Sequence, residues 1–539
     1  MVLSVTRHGI TWHFTTDRPV ATFANGDPAV LGPVQIRAID PAPTTTGRHM
    51  NGSQLNPNPS STKQGYDSTA PFIPYDSTLN AGLRLPLNLD AGDQLISTES
   101  VTQADHTPQV QKAAILTVVS VLPTTNDFRP AYARGIRPTR TYRVSDMDFG
   151  ALVSTFSPSL AIDIELLEEQ FERLWLESSK GWVTRMIHPV ENMPDYGRDH
   201  CATLGDALLA VNSMTPLEER KRLAIAITQY GIDMYWAVKN GWESGPTGGH
   251  GSGRKAAILF AGLLLDPTFL DVNQMTNQYL TFGEDGQTFR VERSLNGSIN
   301  NGFGNYGVEH LGLPEWGFSH HDTPRNDNSA WDGDPYRVCC TANAWLAQAL
   351  VARAMGMMAA WGHDVMFEYL DRYVRVMQSP TYPDWQRSWH IEHWREWVAK
   401  RREDLNGVNT VGIPIIWEQP YLSLTIPAHA SHVATIAVAL PDLSATLGVL
   451  VISAGGAVKK PKRFCRVDGV THLTKDLVYL DDQKILSSVT FNTRQNQIVD
   501  INIQVGPGTA GQKYILQVGI VNPDGTISCS NACEVTILP

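Results

Sequence analysis

Apolar and polar side chains alternate at the start of the chain, where Ile10, Trp12 and Phe14 fall on a period of two, the pattern of a half-buried strand. The segment AAILTVVSVLP at 113–123 is a continuous apolar run with β-branched residues and a proline stop, a second strand signal. Between them, residues 41–80 are crowded with Pro, Asn, Ser, Thr and Gly, which turn the backbone repeatedly and favour a long irregular loop. Together these signals predict a β-sandwich over residues 1–140.

The period then changes. Leu160, Ile164, Leu167, Phe171 and Leu174 are spaced four, three, four, three, on one face of a helix. Further helices are expected at 199–213 and 216–239, the second started by Thr215 as N-cap, Pro216 in the first turn and Glu218 as capping acid. Its buried stripe is Leu223, Ile227, Tyr230, Met234 and Val238. Shorter helices at 254–265 and 268–280 are split by Asp266-Pro267, again a cap and first-turn signal. Helices at 341–359, 363–378 and 388–404 repeat the pattern. Successive helical hairpins with long loops predict an α/α toroid, or part of one, over 141–405.

From 410 the chain returns to strands. Ile413, Ile415 and Trp417 alternate, and 435–440 and 447–453 extend a β domain over 406–483. The last piece, 484–539, places Val499, Ile501, Ile503 and Val505 on one face, follows with Tyr514, Leu516, Val518 and Ile520, and turns at 522–525. It predicts an immunoglobulin-like module, which usually serves attachment or spacing.

Composition narrows the class. The 539 residues are too many for one ordinary core, and a 42% apolar share supports globular domains throughout. Only 18% are charged while Gly and Pro number 43 and 33, a balance of secreted or virion-surface proteins more than of cytosolic enzymes. The net charge of −11 comes without a long basic block, so nucleic acid is not an expected partner. No 18-residue apolar run exists to span a membrane. The opening MVLSVTRHGITWHF reads as strand and not as a secretory signal, so export is expected after removal of a signal or inside a phage particle released by lysis. Six scattered cysteines make no disulfide framework; Cys529 and Cys533 are close enough for a local bridge, and Cys339 and Cys340 read as buried thiols.

Candidate chemistry sits in three loops: HPVENMPDYGRDH at 188–200, GGHGSGRK at 248–255 and NYGVEHLGLPEWGFSHH at 305–321, with Tyr336-Arg337 just beyond. In GGHGSGRK four glycines allow close backbone approach, and Arg254-Lys255 opens a helix against the dipole preference, which calls for an anionic partner. The spacing is not that of a phosphate loop. His320-His321 lacks a metal-ligand spacing, and neither a metal nor a cofactor is expected. Several tryptophans in or beside the loops, Trp242, Trp316, Trp331, Trp385, Trp389, Trp394 and Trp397, offer flat faces for sugar rings, although most are expected in the core.

The segments YGRDHCATLGDALL, QYGIDMYWAVKNG, GGHGSGRKAAILFAGLLLD, FGEDGQTF, EHLGLPEWG and YRVCCTANAW are similar to stretches of large lyase-like bacterial and phage proteins, as are GPVQIRAIDPAP and NGSQLNP before them. The order of β-sandwich, toroid and further β modules resembles the α/α-toroid polysaccharide lyases. The resemblance covers roughly residues 140–400. It implies β-elimination on a uronate-containing glycan, which needs an acid and base and a cation for the sugar carboxylate. On that reading Tyr196, His200, His250 and Tyr306 are acid/base candidates; Arg198, Arg254 and Arg337 bind carboxylate; Lys255, His310 and Trp316 complete the substrate contacts. A non-catalytic structural or receptor-binding virion protein is the alternative, with other virion proteins or a second copy held through the C-terminal module. A glycoside hydrolase using Glu309 or Glu315, paired with Asp195, Asp199 or Glu243, is the third.

Overall fold

The run at 113–119 is apolar at successive positions because the sheet it belongs to is covered on both faces. In the computed structural model, Ala114, Leu116 and Val118 point into one hydrophobic core while Ala113 and Ile115 point into another. The structure describes residues 1–159, 162–245, 247–275, 282–292, 298–300, 306–307, 310, 313–317, 335–377, 390–396 and ten strands from Tyr421 to Thr536. The chain divides into two compact units, the first made of 1–287, 332–364 and 380–394, the second of 288–331, 365–379 and 395–539. It is mixed α+β with an N-terminal sheet region.

Nine strands build the start of the first unit: β1 (Val2–Arg7), β2 (Ile10–Arg18), β3 (Val20–Thr22), β4 (Pro28–Leu31), β5 (Val34–Asp40), β6 (Ser53–Leu55), β7 (Leu87–Leu89), β8 (Gln94–Ser100) and β9 (Val110–Val119). They form two sheets, in the orders β1-β2-β5-β7 and β3-β4-β9-β8-β6, with only β4 and β9 parallel in the second. Ile10, Trp12, Phe14 and Ile36 from the first sheet share a core with Leu95, Leu116 and Val118 from the second. On its other face the second sheet meets Leu174, Leu176, Met186 and Ile187 from the start of the helical region. The loop rich in Pro and Gly carries Phe72, 72% exposed, to the surface.

Helices follow. The first, α1 (Ile164–Glu172), starts four residues later than the apolar spacing begins, because the Asp163 carboxylate accepts from Leu166 N and caps it there. All 14 residues of α2 (Arg198–Val211) are buried, so neighbours enclose it on every side, among them α3 (Leu217–Lys239) and α7 (Ala342–Ala354). Pro216 stands at the N-cap of α3 with no side-chain cap, so Thr215 does not take the expected role; Glu218 and Glu219 in the first turn still complement the dipole. α3 packs closely on α4 (Arg254–Leu264) at Gly231, where a β-carbon would lie 2.4 Å from Ala257 O. The segment after α4 is a 3₁₀ helix, Pro267–Met275, with the Asp266 carboxylate accepting from Thr268 N at 3.1 Å. Short α5 (Gly283–Gly286) and α6 (Pro335–Cys339) precede α7, and Gly356 at φ 73° separates α7 from α8 (Met358–Trp361), which divides the helix expected at 341–359.

In the second unit, β10 (Thr288–Arg290) pairs with β11 (Pro314–Trp316), and α9 (Asp364–Val376) buries Met366, Phe367, Leu370 and Tyr373. Ten further strands are β12 (Tyr421–Leu424), β13 (Val433–Ala439), β14 (Leu447–Ala454), β15 (Arg466–Val467), β16 (Val470–Thr471), β17 (Ile485–Phe491), β18 (Ile498–Gln504), β19 (Lys513–Val521), β20 (Ile527–Cys529) and β21 (Cys533–Thr536). One sheet runs β12-β13-β18, another β17-β14-β19-β20 with β21 also on β19, and β15 pairs with β16. Ile413, Ile415 and Trp417 lie outside the described residues.

Candidate functional site

The first two loops singled out by the sequence meet at the N-terminal ends of α2 and α4. Asp199 in the first turn of α2 accepts from the backbone N–H groups of Asp195 and Tyr196 at 2.8 and 2.9 Å, which folds the preceding loop over the helix end. Tyr196 is thereby set beside His250 of the glycine-rich loop, with ring centroids 4.4 Å apart. Trp182 lies 5.4 Å from His250, and Phe72 lies 5.3 Å from Trp182. Trp182, Tyr196, His250 and Tyr336 of α6 are all half-buried, so together with Phe72 they make a partly open aromatic mouth.

The glycines make this packing possible. A β-carbon on Gly248, at φ 62°, would sit 3.2 Å from the Tyr196 hydroxyl and 3.3 Å from the Tyr336 ring. On Gly249 it would meet Cys340 O at 2.7 Å and the Tyr196 ring at 2.9 Å, and on Gly197 it would meet His250 at 2.6 Å. Close approach of three chain segments is therefore the physical reason for the glycines.

Two guanidiniums flank Tyr196, with Arg198 at 5.5 Å and Arg185 at 5.8 Å from its ring centroid. Arg198 also pairs with the exposed carboxylate of Asp195 at 2.8 Å, and Arg185 donates to Asp195 O. Burial, reinforced by Tyr336, pushes the Tyr196 hydroxyl above its ordinary value against the pull of the Gly249 N–H and both arginines. It stays protonated in neutral solution and is an acid rather than a base.

Next to these residues lies a buried polar network. Glu177, with 0% exposure, receives Arg254 Nε at 2.9 Å and faces its Nη2 at 2.8 Å, while His188 Nε2 stands 3.3 Å away. Burial opposes ionisation of Glu177, yet Arg254 and then His188 hold its carboxyl well below the usual range. Arg254 also donates to His250 O and Ser252 O at 2.9 and 2.8 Å, tying the glycine-rich loop to this anchor. His200 stands between Ser252 O, 3.3 Å from Nδ1, and the Tyr230 hydroxyl, 2.6 Å from Nε2. A carbonyl only accepts, so Nδ1 carries the hydrogen and Nε2 accepts from Tyr230. Burial, with Arg254 nearby, holds His200 well below its ordinary value and keeps it neutral.

These positions change the expected roles. Arg254 and Lys255 do have anionic partners, but those are Glu177 and Asp285 of the chain itself, and the two cations are 2% and 1% exposed. His200 and Arg337 are fully buried, so neither reaches a ligand in this arrangement. Tyr306, His310 and Trp316 belong to the second unit: the Tyr306 hydroxyl donates to Glu315 at 3.2 Å, His310 Nδ1 accepts from Gly307 N at 2.8 Å, and Trp316 is core. Glu315 is itself buried against Arg372. Trp242 and Trp394 are core residues as well. Glu309, His320, His321, Asp322, Trp331, Trp385, Trp389 and Trp397 lie outside the described residues.

Cys339 and Cys340 are joined in a disulfide between adjacent residues instead of standing as two buried thiols, whereas Cys201 keeps a buried thiol that donates to Ala344 O. Among the described residues, no group of three or more His, Cys, Asp or Glu side chains is placed to hold a metal ion. Sequence reasoning missed Trp182 and Arg185, though both stand in GWVTRMIHPV just ahead of the first loop. No family model matches the sequence, and no curated protein matches it.

Proposed function

We propose that the aromatic mouth binds carbohydrate and, most concretely, that the protein is a polysaccharide lyase-like depolymerase cleaving a uronate-containing glycan by β-elimination. The observation that carries this reading is the Tyr196–His250 pair, 4.4 Å apart in a half-open aromatic setting with a guanidinium on each flank of Tyr196. The His250 imidazole takes the proton alpha to the sugar carboxylate. Its electron pair forms the ring double bond as the bond to the leaving oxygen breaks, and the protonated Tyr196 hydroxyl supplies that oxygen's proton. Each such transfer is worth about 10²–10⁴ in rate. Arg198, 6% exposed and also 3.7 Å from the buried Asp199 carboxylate, offsets the sugar carboxylate by exchanging Asp195, whose side chain is 74% exposed and so recovers water cheaply. Phe72 and Trp182 extend the mouth as stacking faces for neighbouring sugars.

On this reading the hairpins of α2, α3, α4 and α7 are part of an α/α toroid and the N-terminal sheets are a β-sandwich; the immunoglobulin-like module for attachment at a cell or virion surface is not the separate piece expected at 484–539, since its strands β17, β18 and β19 share sheets with β13 and β14 from before 484. The test is incubation with a panel of uronate polysaccharides while following the ultraviolet absorbance of the unsaturated product. Release of that product, abolished in Tyr196→Phe and His250→Ala, supports the reading; no product across the panel defeats it.

A second reading, a non-catalytic structural or receptor-binding virion protein, is favoured by the burial of His200, Arg254, Lys255 and Arg337 in internal contacts. It requires the protein in stoichiometric amount in purified particles, with His250→Ala leaving assembly intact. A glycoside hydrolase is less favoured, since Glu315 is engaged by Arg372 and Tyr306.

A further inference from the structure

A cavity of about 690 Å³ opens between the 136–142 loop, the C-terminal turn of α3 and the 3₁₀ helix Pro267–Met275. Its size falls within the range of small-molecule sites, roughly 300–1,000 Å³. Tyr142, Tyr235 and Trp236 supply aromatic walls, with Tyr235 stacked on Phe269 at 4.1 Å. Over these rings lie two cations, Arg140 4.9 Å from the Tyr142 centroid and Lys239 5.7 Å from that of Tyr235.

The wall is built in advance. Asn240 accepts from Ile136 N at 2.6 Å and donates to Ile136 O at 2.8 Å, pinning the loop to the end of α3. Gly135 allows the approach: at φ 122°, a β-carbon there would stand 2.2 Å from Asn240 Oδ1. Arg137 is held by Gly92 O and Asn56 Oδ1, two neutral acceptors, while burial lowers its pKa against the pull of the Asp93 carboxylate. Arg140 is neutralised by Asp266 at 2.9 Å. Among the described residues no carboxylate lies within ion-pair distance of Arg137 or Lys239.

From the rings, the two cations outside any ion pair and the hydroxyl-binding groups Asp271, Gln274 and Thr139, we infer that this cavity is a binding site for an acidic sugar, separate from the Tyr196–His250 mouth. The sugar's C–H face packs on Trp236, the half-buried ring of the wall, and its hydroxyls bond to the polar rim. Its carboxylate meets Lys239, with Arg137 adding to the positive field. The ligand class follows from the lining of this cavity and does not depend on the elimination chemistry proposed for the other site.

Ligand-detected NMR titration of the full chain tests this with methyl glucuronide and, as the uncharged counterpart, methyl glucoside. The expected result is binding of the glucuronide in clear preference to the glucoside. Lys239→Gln, an exposed substitution that breaks no ion pair, weakens it about tenfold, the scale of one charged hydrogen bond. Asn240→Ala, which releases the loop, weakens it as well, whereas His250→Ala leaves this component unchanged. Absence of glucuronide binding overturns the assignment. So does equal affinity for the two glycosides, or binding lost in His250→Ala and kept in Lys239→Gln. Because the elimination assay reads only product, its failure leaves this titration intact, and the reverse holds.

Discussion

Arg254→Met removes the cation that anchors the glycine-rich loop while keeping much of its apolar stem. The structure sets the size of the effect. Arg254 is 2% exposed and contacts Glu177 through two nitrogens, so its loss strands a carboxylate that has 0% exposure and cannot recover water. It also removes donors from His250 O and Ser252 O. Breaking one side of a buried pair costs about 3–5 kcal/mol. The companion change Glu177→Gln removes the stranded charge, so the double variant should recover part of the loss and give a coupling energy within about 0.5–3 kcal/mol. Urea melts read at the first unfolding transition, for all four members of the cycle, provide the assay, since a chain of two units need not unfold in one step. A loss under about 1 kcal/mol for Arg254→Met, or additive single effects, would refute the anchor and return Arg254 to the solvent side as a ligand contact.

Gly249→Ala drives a methyl group against Cys340 O and the Tyr196 ring and should lower stability by about 1–3 kcal/mol in thermal melts, whereas Gly245→Ala, with open space around it, should change it by less than about 0.5 kcal/mol. Burial, then Asp285, pushes the Glu284 carboxyl up to about 8, so the native state holds a proton that the unfolded chain has already lost. Its stabilising contribution is whole below the ordinary carboxylate range and fades as pH rises to about 8; Glu284→Gln should flatten the decline in melting temperature between the ordinary carboxylate range and about pH 8. Tyr230→Phe leaves His200 Nε2 without its donor and should cost about 1–3 kcal/mol while sparing glycan binding, measured by melts and by titration of the same sample. Trp182→Ala should weaken glycan binding with little change in melting temperature, since its ring is half-exposed; an unchanged affinity would remove it from the mouth.

Periodicity made the strands at 10–14 and 113–119 and the helices from 164 to 264 legible, because each reflects burial on a definite face or faces. Caps were partly legible: Asp163 and Asp266 fix segment starts, while Pro216 takes the place expected of Thr215. Opening a helix with Arg254-Lys255 correctly signalled anionic partners. What the sequence hid is that these are Glu177 and Asp285, 77 and 30 positions away, brought together only by tertiary packing. The same limit hid Trp182 beside His250 and the tilted contact of Tyr196 with it. Local pattern reports burial of one element at a time, and the choice between ligand contact and internal anchor is made by neighbours distant in sequence.

The Tyr196–His250 mouth is tested most directly by product absorbance in the ultraviolet from uronate polysaccharides, run on the unaltered chain beside Tyr196→Phe. The expected result is unsaturated product from the unaltered chain and a loss of about 10²-fold or more in the variant, the scale of one general acid. Equal rates in the two proteins, or no product from either on any uronate polymer, would contradict it.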